Sequence, residues 1–167
     1  LMQWETDFYR VRGAAQSDAD EECTFEVASQ LAPRKQKACY RNDVKVAAGA
    51  MVGGLPTVVF LPQQLNLFAG APQERRSFLD QLLCQVSPEY LQTLSQYQKL
   101  LKQRNALLRR IAEGSTKVDE LALWDQQLVV PAAAVTLARL ELIEVLQCTL
   151  GEELSELGES WDNVQLQ

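Results

Sequence analysis

Hydrophobic positions along this chain change their spacing near residue 72. Before that point they alternate. Phe8, Arg10 and Arg12 interleave with Tyr9 and Val11 ahead of Gly13, and alternation resumes from Cys23 to Val27, which predicts two short strands. The acidic stretch Ser17 to Glu22 reads as the loop between them. Arg34 to Tyr40 supplies a third strand, and Arg41-Asn42-Asp43 is turn chemistry that reverses the chain into Val44 to Ala47. The pattern is that of an antiparallel meander. After the small, flexible run Ala48 to Gly54, Leu55 to Leu61 is wholly apolar, as in a strand buried on both faces.

Beyond the Gly70-Ala71-Pro72 turn the spacing becomes helical. A first helix over about 73–86 turns Phe78, Leu79, Leu82 and Leu83 inward, and Ser87-Pro88 provides an N-cap and a first-turn proline for the next. That second helix, about 88–113, carries a heptad seam of Tyr90, Leu94, Tyr97, Leu101, Arg104, Leu108 and Ile111. Arg104 is its single polar break, so a buried ion pair or a polar link to the sheet is expected there. Gly114-Ser115-Thr116 closes the helix.

A third helix, about 118–156, repeats the steps through Leu121, Trp124, Leu128, Val135, Ala138, Leu142 and Val145, and Pro131 predicts a kink or break near Val129. Two seamed helices joined by a tight turn fold back as an antiparallel hairpin. Leu137, Leu140, Ile143, Leu146 and Leu150 form a further apolar face, expected to meet the preceding helix or the sheet. The fold class is therefore α+β: a β-rich lobe over 1–71, a helical arm over 72–158, and the start of a returning strand over 159–167.

Composition narrows the chemistry. With 47% hydrophobic and 23% charged residues, the 167-residue chain can bury a core. It has no histidine, and its four cysteines, Cys23, Cys39, Cys84 and Cys148, contain no CxxC pair. Zinc binding and histidine-based acid, base or nucleophile relays are thereby disfavoured. No apolar run is long enough to span a bilayer and no secretory signal opens the chain, so a cytoplasmic location is expected. The net charge of −6 is uneven: acids cluster at Asp18 to Glu26 and Glu152 to Asp162, while Arg34 to Lys45 and Lys99 to Arg110 are locally basic.

Nothing matches GxxxxGK[ST], so the backbone cradle for a triphosphate is missing and this chain alone is not expected to hydrolyse ATP. Five ordered blocks carry a resemblance. They are Asp7 to Gly13; Arg34 to Asn42; Phe60, Pro62-Gln63-Gln64-Leu65, Gly70-Ala71-Pro72, Arg75-Arg76 and Phe78-Leu79-Asp80; Tyr97, Gln103-Arg104-Asn105 and Leu107-Leu108; and Trp124-Asp125 with Arg139. In this order they resemble the RecF family of DNA replication and repair proteins, whose ATPase heads are built like those of SMC proteins. Gln63 and Gln64 stand where the family carries an acidic pair.

The resemblance implies the middle of a RecF-like protein: a β-meander lobe of an ABC/SMC-like ATPase head and its helical arm. It also implies that the full-length family uses ATP and Mg, forms an ATP-driven homodimer, binds double-stranded, gapped or junction DNA, and works with RecO/RecR-type loader proteins to load recombinase. No cofactor is expected for this chain alone, and no membrane partner.

Gln63 and Gln64 would lie beside the nucleotide site. Candidate DNA contacts are Arg34, Lys35, Lys37, Arg75, Arg76, Lys99, Lys102, Arg109 and Arg110. Each has an alternative. Arg75 and Arg76 can instead pair with Glu74 and Asp80 on their own helix, and Lys99, Lys102, Arg109 and Arg110 can be a solvated helix face. Strand alternation would put Arg34 and Gln36 on one side and Lys35 and Lys37 on the other. A different reading is a non-catalytic interaction module that uses the helical hairpin.

Overall fold

The computed structural model describes residues 6–16, 21–59, 61, 67 and 70–156. The chain forms two compact units, Leu1–Val59 and Phe60–Gln167.

In the first unit four strands form one antiparallel sheet in the order β1-β2-β3-β4, with β1 at Phe8–Gln16, β2 at Glu22–Gln30, β3 at Gln36–Arg41 and β4 at Val44–Val46. The meander is as predicted, and each strand end follows from local chemistry. Between β3 and β4, Asn42 and Asp43 both take positive φ, 50° and 61°, which is the two-residue turn whose twist matches the flanking strands. Asn42 also fastens this turn to β2: its Oδ1 accepts from the Thr24 amide at 2.8 Å, and its own amide donates to the Thr24 carbonyl at 2.9 Å.

The third strand starts two residues later than expected. Pro33, which has no amide proton to give a ladder, lies in the bend that joins β2 to β3, so Arg34 and Lys35 precede the strand. Alternation therefore fixes the sides of Gln36 and Lys37 only.

On one face of the sheet Glu26, 8% exposed, is gripped by Arg10 at 3.3 Å and Arg12 at 3.8 Å, and Arg12 reaches on to Asp43 at 3.0 Å. The opposite face is closed by a 3₁₀ turn, Ala48–Met51, and by Gly54. An added Cβ at Gly54 would stand 2.6 Å from the Phe25 ring.

The expected strand over Leu55 to Leu61 is a correction. Residues 55–59 are irregular and exposed, Val58 at 95%, and Phe60 and Pro62 to Asn66 lie outside the described residues. A strand hidden on both faces needs partners on both edges, and Pro56 removes one ladder donor from this run.

The second unit is helical: α1 Pro72–Val86, α2 Pro88–Ala112 and α3 Leu121–Glu156. Ser87 ends α1, and its Oγ accepts from the Tyr90 amide at 3.0 Å, capping α2 with Pro88 at the first position. Gly114, at φ 71°, closes α2. Its amide donates to the Ile111 carbonyl at 2.9 Å and that of Ser115 to the Arg110 carbonyl at 2.8 Å, a Schellman pair. A 3₁₀ turn at Val118–Glu120 then starts the return helix.

The core of this unit is Tyr90, Leu94 and Val135, with Leu83, Cys84, Tyr97 and Ala138 packed around it. Val135 is 1% exposed.

Three helical expectations are corrected. First, of the kink or break expected near Val129 the break does not occur: α3 continues through Pro131, which is buried, so packing on the neighbouring helices holds the turn that the missing hydrogen bond weakens. Second, the α2 seam is not followed: Leu100 and Leu107 are buried, Leu101 is half-buried and Leu108 is 37% exposed, an offset of about 100° round the helix that exceeds the slip of about 20° per heptad of a 3.6-residue helix. Third, of the further apolar face of α3 Leu137 and Leu140 are exposed while Ile143, Leu146 and Leu150 are half-buried, and Val145, expected on the inward seam, is exposed. The predicted tail strand over 159–167 lies outside the described residues.

Candidate nucleic-acid interface

The three helices are tied by one buried carboxylate. Asp80 of α1 accepts from the Arg139 Nε at 2.8 Å on Oδ1 and from its Nη2 at 2.9 Å on Oδ2, while the Tyr90 hydroxyl donates to Oδ1 at 2.6 Å. The two ion-paired side chains are 12% and 16% exposed. The hydrogen bond that Arg139 donates to Asp80 is the main cause that pushes its guanidinium pKa up. Burial, and then the bond to Asp80, pushes the Tyr90 phenol far above the usual tyrosine range. Burial and the Asp80 charge also raise the Cys84 thiol, which stays protonated and is unsuited to nucleophilic work.

Asp80 is therefore unavailable to Arg75 and Arg76. The Arg75 Nη1 donates to the Gly70 carbonyl at 3.2 Å, holding the turn that leads into α1, and the Arg76 Nη2 donates to the Gln73 Oε1 at 3.1 Å. Of the two alternatives for these arginines, the pairing with Asp80 is corrected: a helix-spanning bidentate partner outcompetes a same-helix one.

Arg104 pairs with Asp125 across the hairpin at 2.5 Å. The pair is an ion pair as expected, but it is not buried: the two side chains are 28% and 50% exposed. The sequence shows both partners of each tie, in separate blocks, without showing the pairing. The spacings of 59 residues for Asp80–Arg139 and 21 for Arg104–Asp125 carry no local signal.

What remains unpaired is the far side of α2. This helix carries Lys99, Lys102, Arg104, Arg109 and Arg110 against one acid, Glu89 in its first turn. At about 100° per residue, Lys102 and Arg109 share one face and Lys99 and Arg110 the adjoining one, roughly 60–100° round the axis. Lys99, Lys102, Arg109 and Arg110 are all exposed and have no ion-pair partner among the described residues. Arg109 and Arg110 also sit in the last turn, where they complement the helix dipole. An open groove of about 400 Å³ runs along the Lys102 face, lined by Gln98, Leu101, Lys102, Asn105, Ala106 and Arg109.

In the first unit Arg34, Lys35 and Lys37 are all exposed, Lys37 alone within a strand. Gln63 and Gln64 lie outside the described residues. Among the described residues no group of three or more acidic or cysteine side chains could hold a metal, and no helix is long and apolar enough to cross a membrane.

No protein-family model matches the chain. It is 40% identical over 142 residues to the DNA replication and repair protein RecF of Heliobacterium modesticaldum, a match covering 83% of this chain and 37% of that protein. RecF of a Geobacillus species is 34% identical over 169 residues, covering 100% of this chain and 44% of the relative. RecF of Bacillus cereus is 34% identical over 149 residues, 88% of this chain and 39% of the relative. The chain thus spans roughly two fifths of the length of the curated relatives it matches.

Two solved structures are similar as well. The recombination mediator protein RecF-ATPrS in the RecFOR pathway superposes with a TM-score of 0.86 at 27% identity, covering 94% of this chain and 42% of that one. RecF-ATP in the same pathway gives 0.85 at 25%, covering 99% and 47%.

Proposed function

The chain belongs to the RecF family of DNA replication and repair proteins, and from that premise we propose that it supplies a β-lobe and a DNA-holding arm to an ATP-dependent repair protein. The observation that carries this reading is the exposed, unpaired cationic side of α2 in a chain whose net charge is −6. Cations that serve the architecture are neutralised: Arg104 by Asp125, Arg139 by Asp80, and Arg10 and Arg12 by Glu26. Among the cations without an ion pair in the described residues, Lys99, Lys102, Arg109 and Arg110 lie together on one helix, which is how a surface attracts a polyanion.

In this proposal the whole protein acts at gaps or junctions and helps to load recombinase, with RecO/RecR-type loaders as partners. ATP and Mg close a homodimer through parts other than these residues. The sequence has no Gly-rich strand-to-helix loop, so these residues do not by themselves fit a triphosphate. Arg34, Lys35 and Lys37 are proposed as secondary phosphate contacts of the lobe, Arg75 and Arg76 as contacts only through the one side each leaves free, and Gln63 and Gln64 as neighbours of the nucleotide site.

The test is duplex binding across a salt series. Changing Lys99, Lys102, Arg109 and Arg110 to glutamine in the full-length protein is expected to flatten the dependence of log K on log salt by about 0.9 for each phosphate that is no longer neutralised. An unchanged slope would refute the reading.

A second reading rests on the outer face of α3, where Leu123, Val129, Val130, Leu137 and Leu140 are exposed, Val130 at 74%. It is a protein-interaction module, and association through such a face would be nearly indifferent to salt.

A further inference from the structure

The groove on α2 pairs each of its cations with a neutral amide that the electrostatic account leaves without a task. Gln98, Lys102, Asn105 and Arg109 follow one another at steps of four, three and four residues, so their side chains lie in a row on one face. The row is about 16 Å long at 1.5 Å per residue, the axial distance over which one strand of a duplex presents about five phosphates. All four are exposed, and none has a hydrogen-bond or ion-pair partner among the described residues. No acidic side chain lines the groove.

We propose that this row is a phosphodiester track, in which Gln98 and Asn105 donate their amide N–H groups to phosphate oxygens between the charges of Lys102 and Arg109. The inference rests on the proposal that α2 faces nucleic acid, and it adds the ligand class and the two uncharged ligands. A cation and an amide contribute differently. The cation releases counterions and sets the salt slope, whereas the amide fixes the register of one backbone by a directed bond.

Asparagine and glutamine can also read adenine edges, but that requires the helix to enter a major groove about 12 Å wide. The even alternation of amides and cations along about 16 Å matches a regular backbone better than base edges that differ from step to step, so the amides are assigned to phosphates, and two duplexes of different sequence separate the two modes.

The experiment compares Gln98→Ala/Asn105→Ala with Lys102→Gln/Arg109→Gln in the full-length protein, each titrated with two duplexes of different sequence at several salt concentrations. The amide variant is expected to bind about 5- to 20-fold more weakly at every salt with the slope unchanged, equally on both sequences. The cation variant is expected to lose about 1.8 from the slope. Asn105→Asp, which keeps the size but adds repulsion, is expected to weaken binding further than Asn105→Ala.

Wild-type affinity in the amide variant, alongside a flattened slope in the cation variant, overturns the track and leaves the DNA-holding arm standing. A sequence preference that disappears in the amide variant shows base reading and also overturns the track. An unchanged slope in the cation variant overturns the arm itself.

Discussion

Replacing Asp80 by alanine removes the one acceptor that α1, α2 and α3 share. The change strands a guanidinium that is 16% exposed and a phenol that had a 2.6 Å bond, both inside the core of the helical unit. Breaking a buried pair by deleting one partner costs about 3–5 kcal/mol, because the survivor stays desolvated. The residual exposure of both side chains places this pair at the lower end, about 3 kcal/mol. For a urea m-value of about 2 kcal/mol/M, the unfolding midpoint of the helical unit should fall by about 1.5 M.

Arg139→Met should cost about as much, and Asp80→Ala/Arg139→Met should cost clearly less than the sum, since no charge is then left behind. A coupling of about 2 kcal/mol or more is expected from the cycle. Single variants that each cost under about 1 kcal/mol and add without coupling would put this pair among ordinary surface ion pairs and refute the reasoning.

Two further outcomes follow from local geometry. The folded-state pKa of Tyr90 is raised above the ordinary tyrosine value of 10, so its contribution is fully present below pH 10 and is lost as pH climbs through the folded value; Tyr90→Phe should remove this alkaline loss in pH-dependent urea melts. Gly114→Ala keeps open space around the new methyl but forces a left-handed φ of 71° on it, and should lower stability by about 1 kcal/mol without moving the DNA salt slope.

Local chemistry was legible and distant pairing was not. The turn-forming φ values of Asn42-Asp43, the cap of Ser87-Pro88 and the closure at Gly114 are local, and the β3–β4 turn, the α2 cap and the Schellman closure all sit where those letters place them. The helices were likewise readable in outline, but the heptad template does not fix which side of α2 the return helix covers, and the buried positions are Leu100 and Leu107 rather than Leu101 and Leu108. Leu55 to Val59 shows a different limit. Apolar letters state a demand for burial, and whether it is met depends on chain that lies elsewhere.

For the site, charge runs were visible as letters. Which cations are already neutralised depends on Asp80 meeting Arg139 and Asp125 meeting Arg104, contacts set by three-dimensional packing alone.

The length of α3 carries a mechanical consequence. Arg139, its point of attachment to Asp80, stands 18 residues from Leu121, about 27 Å along the axis at 1.5 Å per residue. Were the helix to pivot there, a rotation of only about 10° would swing the hairpin tip, with Arg109 and Arg110 beside it, through roughly 5 Å. A slight turn at that fulcrum would thus become a displacement longer than a hydrogen bond at the far end.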